Sequence, residues 1–156
     1  MTLRKRLLIV VHAPSANTRR LRDAVEDGAR SEDVETVDTT ILSPFDTGPE
    51  HVIEADALIL GTTENLGYMS GALKDFFDRC YYPCLEETQG KPYALFIRAG
   101  HDGTGTRRGV ETIATGLRWR TVQEPLLLRG PWEDAFIDRT RRLGHYMAAS
   151  LEAGVI

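Results

Sequence analysis

Four short runs of almost uninterrupted apolar residues limit most strongly what this chain can fold into. The runs cover residues 7–11, 57–60, 93–97 and 126–128. A strand has such a continuous apolar pattern when helices cover both of its faces, as they do in a parallel sheet. Residues 34–42 mix apolar with charged and polar side chains, which is typical of a more exposed edge strand. The sequence therefore predicts five strands.

Segments with helical spacing lie between these strands. Their apolar positions recur every three or four residues: Leu21, Val25 and Gly28; Leu73, Phe76, Phe77 and Cys80; Val110, Ile113, Ala114 and Leu117; and, in a long last helix, Phe136, Leu143, Met147 and Leu151. The link at residues 43–55 leaves room for only about one or two helical turns. Right-handed strand–helix–strand units build an α/β fold with helices on both faces of a parallel sheet, here in the order 2-1-3-4-5.

Composition and charge restrict the function classes. The 156 residues, 42% of them hydrophobic, fit a single domain over residues 1–156. The net charge of −4, with 19 basic residues scattered among acidic ones, argues against a nucleic-acid partner. The apolar run after Arg6 is too short for a signal peptide or a membrane span, so we expect a cytoplasmic protein. Cys80 and Cys84 match no redox or zinc motif and are interpreted as small packing residues, with no metal site.

The loop that follows the first strand has the chemistry of a phosphate site. In such sheets a ligand binds beyond the carboxyl ends of the strands. This loop runs from His12 to Thr18 and enters a helix expected to begin near Asn17. A helix start offers unpaired N–H groups and a partial positive charge, to which Ser15, Asn17 and Thr18 add donors. Ordinary N-capping by Ser15 or Asn17 is the alternative for this loop taken alone.

The loop after the third strand, residues 61–79, is the most informative segment. Its sequence, GTTENLGYMSGALKDFFDR, resembles the flavodoxin-like superfamily. The resemblance is closest to the small NAD(P)H-dependent FMN reductases and the quinone reductases of the tryptophan-repressor-binding-protein type. Those families share a segment that lies against the flavin ring and begins the next helix. It consists of a G-T-P-x-Y or T-P-E-Y stretch, then a glycine, then S/P-G-x-L-K-x-F-x-D-R. The matching residues include Gly61, Thr62, Glu64, Gly67, Ser70, Gly71, Leu73, Lys74, Asp78 and Arg79.

This resemblance implies a flavodoxin-like three-layer sandwich that binds FMN. Leu73, Phe76 and Phe77 are interpreted as core packing, and Lys74 with Asp78 as a surface pair. The ring contacts then fall to the residues before the helix: Thr62, Thr63, Glu64, Asn65, Leu66, Gly67 and Tyr68. The resemblance places the backbone of Leu66 and Gly67 beside the flavin N5 and lets Glu64 tune the ring electronics.

Two residues of this loop depart from the family pattern. Thr63 replaces a proline, and Asn65 replaces an aromatic that often stacks on the ring. Tyr68 can supply an aromatic face instead, although an exposed turn tyrosine is an equal alternative.

The loop after the fourth strand, residues 98–105, is rich in glycine, which lets backbone approach a flat ligand. The resemblance assigns the pyrimidine edge and ribityl chain to Ala99, Gly100, His101, Asp102 and Gly103. His101 and Asp102 contact flavin or substrate, or are solvated. Gly103, Gly105 and Gly109 resemble a dinucleotide fingerprint, but their spacing is one residue too long and they follow the wrong strand. We interpret that match as accidental.

The predicted function is an FMN-dependent oxidoreductase, in which FMN takes a hydride from NADH or NADPH. The reducing equivalents then pass to a quinone, a free flavin or another small acceptor. The resemblance also implies a homo-oligomer. The alternative is a flavodoxin-type one-electron carrier, which a net charge of only −4 and the missing aromatic at Asn65 disfavour.

Two other function classes are disfavoured. A receiver module needs a phosphate-accepting Asp where this chain has Gly61, Thr62 and Thr63. A phosphatase needs an arginine at suitable spacing from Cys80 or Cys84, which the chain lacks.

Overall fold

The computed structural model describes residues 3–156. The strands are β1 (Lys5–Val11), β2 (Val37–Leu42), β3 (Ala57–Asn65), β4 (Tyr68–Met69), β5 (Pro92–Ala99), β6 (Arg120–Thr121) and β7 (Leu126–Arg129). The helices are α1 (Ala16–Ala29), α2 (Pro49–Glu54), α3 (Gly71–Leu85), α4 (Thr104–Gly116) and α5 (Ala135–Ala153), with a 3-10 turn at Pro44–Asp46.

The parallel strands lie in the order β2-β1-β3-β5, and β6 and β7 both pair with β5 at the far edge. β6 and β7 are two pieces of one edge strand, interrupted at residues 122–125. This interruption ends in Pro125, which has no backbone N–H to donate. Counted as one strand, they complete the predicted order 2-1-3-4-5, and β2 is an edge strand as expected. The prediction missed β4, which turns back antiparallel onto β3.

The core forms two layers, one on each face of the sheet. Leu8 and Val10 of β1 pack towards α2, α3 and α4, whereas Leu7 and Ile9 pack towards α1 and α5. This alternation confirms that the apolar runs are strands buried on both faces. α1 and α5 approach closely because Gly28 has no side chain: a Cβ there would lie 2.0 Å from the carbonyl oxygen of Arg141.

The crossover between β2 and β3 is short, as predicted, with only six residues in α2. Arg79 of α3 holds this segment by donating to the carbonyl oxygens of Thr47 (2.8 Å) and Pro44 (2.7 Å). The arginine of the family-like motif therefore has a structural partner.

The two cysteines are packing residues, as interpreted from their spacing. Both are buried in α3. Burial raises the pKa of the Cys80 thiol to about 12 and that of Cys84 to about 11. Thiols with such pKa values stay protonated and unreactive near neutral pH.

No helix among residues 3–156 is both long enough and apolar enough to cross a bilayer.

Candidate functional site

Three loops emerge side by side at one edge of the sheet. Parallel pairing sets Val11 of β1 opposite Gly61 of β3, and Thr63 of β3 opposite Arg98 of β5. The backbone N–H of His12 donates to the carbonyl oxygen of Gly61 at 3.0 Å, which extends this pairing by one residue. The loop at residues 12–15 (first loop), the segment after Gly61, and the loop at residues 100–103 (third loop) therefore share one surface.

A capping box organises the first loop. The Ser15 hydroxyl accepts from the Thr18 N–H at 3.2 Å, and the Thr18 hydroxyl accepts from the Ser15 N–H at 2.9 Å. Capping by Ser15 is thus confirmed, and α1 begins at Ala16, one residue before the predicted start. Thr18 is only 7% exposed, and its hydroxyl lies 2.8 Å from that of Ser15, so this side chain is engaged within the cap. Asn17 is exposed in the first turn.

The first turn of α1 has no acidic residue of its own among those described, and the nearest ion pair joins Arg20 to Asp134 at 3.6 Å. Arg19 and Arg20 follow directly. The N–H groups of Ala16 and Asn17 have no partner within the helix, and the helix dipole adds a partial positive charge there. Burial lowers the pKa of His12, so this imidazole is neutral at pH 7. The arrangement fits an anion such as the phosphate group of FMN.

The segment after Gly61 is a β-hairpin rather than an open loop. β3 continues through Asn65, and Leu66 and Gly67 turn the chain into β4 with φ of 53° and 76°. We refer to residues 62–69 as the hairpin. Two-residue hairpin turns with positive φ at both positions favour Asn-Gly or Asp-Gly. The sequence has Leu at the first position, which is why the turn was not predicted.

Thr62, expected to contact flavin, has its side chain in the interior. It is 2% exposed, and its hydroxyl accepts from the N–H of Ser70 at 3.0 Å and donates to the carbonyl oxygen of Thr63 at 2.9 Å. Ser70 in turn caps α3 by accepting from the N–H of Leu73. Thr62 therefore joins the hairpin to α3, and only its backbone is available to a ligand.

Glu64 bridges the hairpin and the third loop. One carboxylate oxygen accepts from the N–H of His101 and the other from the N–H of Gly103, both at 2.9 Å. Gly103 has φ of 72° and precedes α4 as its N-cap. Glu64 therefore acts as a positioning residue for the third loop, a role that the sequence did not predict. These bonds occupy the N–H groups of His101 and Gly103, two residues that the resemblance had assigned to flavin contacts.

Gly105 and Gly109 allow the hairpin to pack closely against α4, because they have no side chains. A Cβ at Gly105 would lie 2.0 Å from the carbonyl oxygen of Gly67, and one at Gly109 would lie 2.4 Å from the ring of Tyr68. The glycine pattern interpreted as accidental is thus a packing feature. Tyr68, 39% exposed, lies across α4 instead of standing free as an aromatic lid, while Leu66 at the tip is fully exposed.

Exposed residues remain on both the hairpin and the third loop. On the hairpin, Asn65 and Leu66 are exposed, and Thr63 donates to the Asn65 side-chain oxygen at 2.8 Å. On the third loop, Gly100, His101 and Asp102 are exposed, whereas Ala99 and Gly103 are buried. The N–H of Thr104 donates to the Asp102 carboxylate at 3.0 Å, which lowers the pKa of Asp102. These exposed backbone groups and short side chains are the parts of the two segments that a flat ligand could contact.

Comparison with known proteins identifies the family. The model of the NADPH-dependent FMN reductase family matches residues 47–133, which include the hairpin, α3 and the third loop. The chain belongs to the NADPH-dependent FMN reductase family. Membership in this family confirms the resemblance found in residues 61–79. The first loop lies outside the matched residues, so its assignment to phosphate depends on its own geometry and charge.

Individual relatives agree with this placement. A flavodoxin from Aquifex aeolicus is 29% identical over 112 residues, which cover 72% of this chain and 60% of that protein. An NAD(P)H dehydrogenase (quinone) from Archaeoglobus fulgidus is 31% identical over 58% of this chain and 60% of its own length. The matches thus span about three fifths of each relative. The structure of an archaeal flavodoxin, 21% identical, superposes with a TM-score of 0.79 over 94% of this chain and 99% of that chain, which confirms the fold.

The Glu64 bridge predicts a local effect on the third loop. In Glu64→Ala the amide hydrogens of His101 and Gly103 lose their acceptors, and we expect them to exchange about tenfold faster. Glu64→Gln keeps one acceptor oxygen, so only one of the two amides should lose protection. Hydrogen exchange followed by NMR measures both. The control is Glu87→Ala, which removes an exposed carboxylate from the loop after α3. If the two amides exchanged as slowly in Glu64→Ala as in this control, the bridge would be contradicted.

The contact between the hairpin and α4 predicts a second effect. Gly105→Ala places a methyl group against the backbone of Gly67, and we expect a loss of about 1–3 kcal/mol in the free energy of unfolding. Gly71→Ala is the matched control, because a Cβ there meets no atom within 4 Å. Urea unfolding of both variants measures the difference, and equal stabilities would show that the hairpin does not rest on α4 at this glycine.

Proposed function

We propose that this chain is a single flavodoxin-like domain that binds one FMN across the three loops and acts as an NAD(P)H-dependent oxidoreductase. Its electron acceptor would be a quinone, a free flavin or another small molecule. The observation that carries the proposal is the acid-free beginning of α1, set beside the hairpin and the third loop at one sheet edge. Family membership supports the cofactor and the nicotinamide donor.

Each part of the site has a proposed partner on FMN. The phosphate would lie at the N–H groups of Ala16 and Asn17, beside Ser15, Thr18 and the neutral imidazole of His12. The ring would lie against the exposed edge that the hairpin and the third loop form together, and their exposed residues would contact it. These residues are Thr63, Asn65, Leu66, Gly67, Gly100, His101 and Asp102, with backbone groups of Thr62, Glu64, Tyr68, Ala99 and Gly103 beside them.

FMN, when bound, supplies the hydride and electron chemistry, so no catalytic side chain is assigned. The protein holds the segments of the site in place. Glu64 fixes the third loop by hydrogen bonds, and Gly105 sets how closely the hairpin packs on α4. With Asn65 in place of an aromatic and Tyr68 packed against α4, one face of a bound ring would stay open. A nicotinamide and then an acceptor need such an open face, which favours an enzyme over a one-electron carrier.

The first-loop assignment predicts a selective loss of FMN affinity in Asn17→Asp. This isosteric change adds a carboxylate to the first turn of α1, next to the proposed phosphate. FMN affinity should fall about tenfold through charge repulsion, whereas riboflavin affinity should not change. An acid at this position stabilises a helix, so the loss cannot come from unfolding. Quenching of flavin fluorescence measures both affinities.

Gln123→Glu makes the same charge change at an exposed position away from the loop and serves as the control. If Asn17→Asp weakened FMN and riboflavin equally, the phosphate would not lie at the first loop.

The enzyme assignment predicts that NADPH or NADH reduces the bound flavin. Added anaerobically to the FMN-loaded protein, one of them should abolish the visible flavin absorbance, and a benzoquinone should then restore it. If dithionite reduced the flavin but neither nicotinamide did, the flavodoxin-type carrier would replace the enzyme. That alternative has support in the flavodoxin relative from Aquifex aeolicus.

We further propose that the protein is a cytoplasmic homo-oligomer in which a neighbouring subunit helps to cover the open ring face. The fully exposed Leu66 at the hairpin tip supports this, because an isolated apolar tip beside a ligand site gains from burial. Leu66→Ser should therefore shift the mass measured by light scattering towards the monomer. A wild-type protein that is monomeric at micromolar concentration and fully active would contradict the oligomer.

A further inference from the structure

A cleft of about 620 Å³ opens between α4 and the edge strand β7. Its wall includes Thr104, Arg107 and Arg108 from α4, and Leu127 and Arg129 from β7. The volume lies in the range of pockets that hold small organic ligands. We refer to it as the arginine cleft.

The charges of the arginine cleft are not balanced. Arg107 is paired with Glu111 at 2.9 Å and with Glu124 at 3.0 Å. Arg108 and Arg129 are exposed, and neither forms an ion pair with any residue of the described chain, 3–156. Neither guanidinium group is thus tied up in an ion pair within this part of the chain, although Arg129 lies near enough to the Asp102 carboxylate to help lower its pKa.

The arginine cleft begins where the third loop ends. Thr104 is the first residue of α4, directly after Gly103. Arg129 is the last residue of β7 and pairs in register with Ala99, at the other end of the same loop. The N–H of Gly130 donates to the carbonyl oxygen of Ala99 at 2.9 Å and fixes this junction. A ligand that contacts the third loop can thus extend directly into the cleft.

We infer that the arginine cleft binds the adenosine phosphate half of the nicotinamide donor, with Arg108 and Arg129 paired to its phosphate groups. The inference rests on the proposed function, because the donor must reach a flavin beside the third loop. A planar guanidinium binds phosphate through two parallel hydrogen bonds, and Leu127 gives the adenine an apolar wall. The 2′-phosphate of NADPH adds negative charge in this cleft, so the protein prefers NADPH to NADH.

The test titrates 2′,5′-ADP and 5′-ADP into the purified protein, with and without added FMN, by calorimetry. The wild type should bind 2′,5′-ADP more tightly. Arg108→Ala combined with Arg129→Ala should weaken 2′,5′-ADP about tenfold, which corresponds to about 1.4 kcal/mol. The matched control combines Arg139→Ala with Arg142→Ala, two exposed arginines of α5 without an ion pair in the described chain, and should leave the affinity unchanged.

Steady-state kinetics give an independent readout. In the Arg108 and Arg129 double variant, kcat/KM should fall about tenfold for NADPH and much less for NADH, with kcat nearly unchanged. Equal weakening of 2′,5′-ADP by both double variants, or binding of 2′,5′-ADP no tighter than inorganic pyrophosphate, would overturn the inference. The titration needs no hydride transfer. Binding of 2′,5′-ADP could depend on the two arginines while neither NADPH nor NADH reduced the flavin. That result would support the nucleotide site in the cleft and contradict the proposed enzyme activity.

Discussion

The parallel pairing of β1, β3 and β5 is the constraint on which the rest of the structure depends. Helices cover both faces of the central parts of these strands, so the side chains there are apolar and the polar residues lie towards the strand ends. Their registered carboxyl ends put the polar residues of three distant segments at one edge. Gly61 shows how tight this packing is, because a Cβ there would lie 2.4 Å from Phe96 and 2.7 Å from Val11.

The hairpin gives the loops at this edge a fixed arrangement. Two contacts with residues 101–105 hold it: the Glu64 carboxylate accepts hydrogen bonds from the third loop, and Gly105 lets the turn pack on α4. Neither contact uses a group that would take part in flavin chemistry. Both contacts fix the spacing between backbone segments. A flat cofactor depends on such fixed spacing, because the protein's part is to orient it.

Charge distribution at the edge differs from that of the whole chain. The net charge is −4, yet the edge presents a helix start without acids, followed by Arg19 and Arg20, and a cleft with Arg108 and Arg129. An FMN phosphate and a nicotinamide dinucleotide are both anionic, so both would be attracted to this edge. The overall negative charge, counted along the sequence, hides this local pattern.

The sequence by itself determined the fold class, because buried strands and amphipathic helices leave distinct apolar periodicities. It also located α3 and the short crossover and limited the cap of α1 to Ser15 or Asn17, since each depends on residues close in the chain. It could not reveal the Glu64 bridge, the seating of Tyr68 over Gly109, or the arginine cleft. Those features join residues that are far apart in the chain and meet only through the packing of β3, α4 and β7. Tertiary structure alone therefore decided which polar groups of the loops are occupied and which remain free for a ligand.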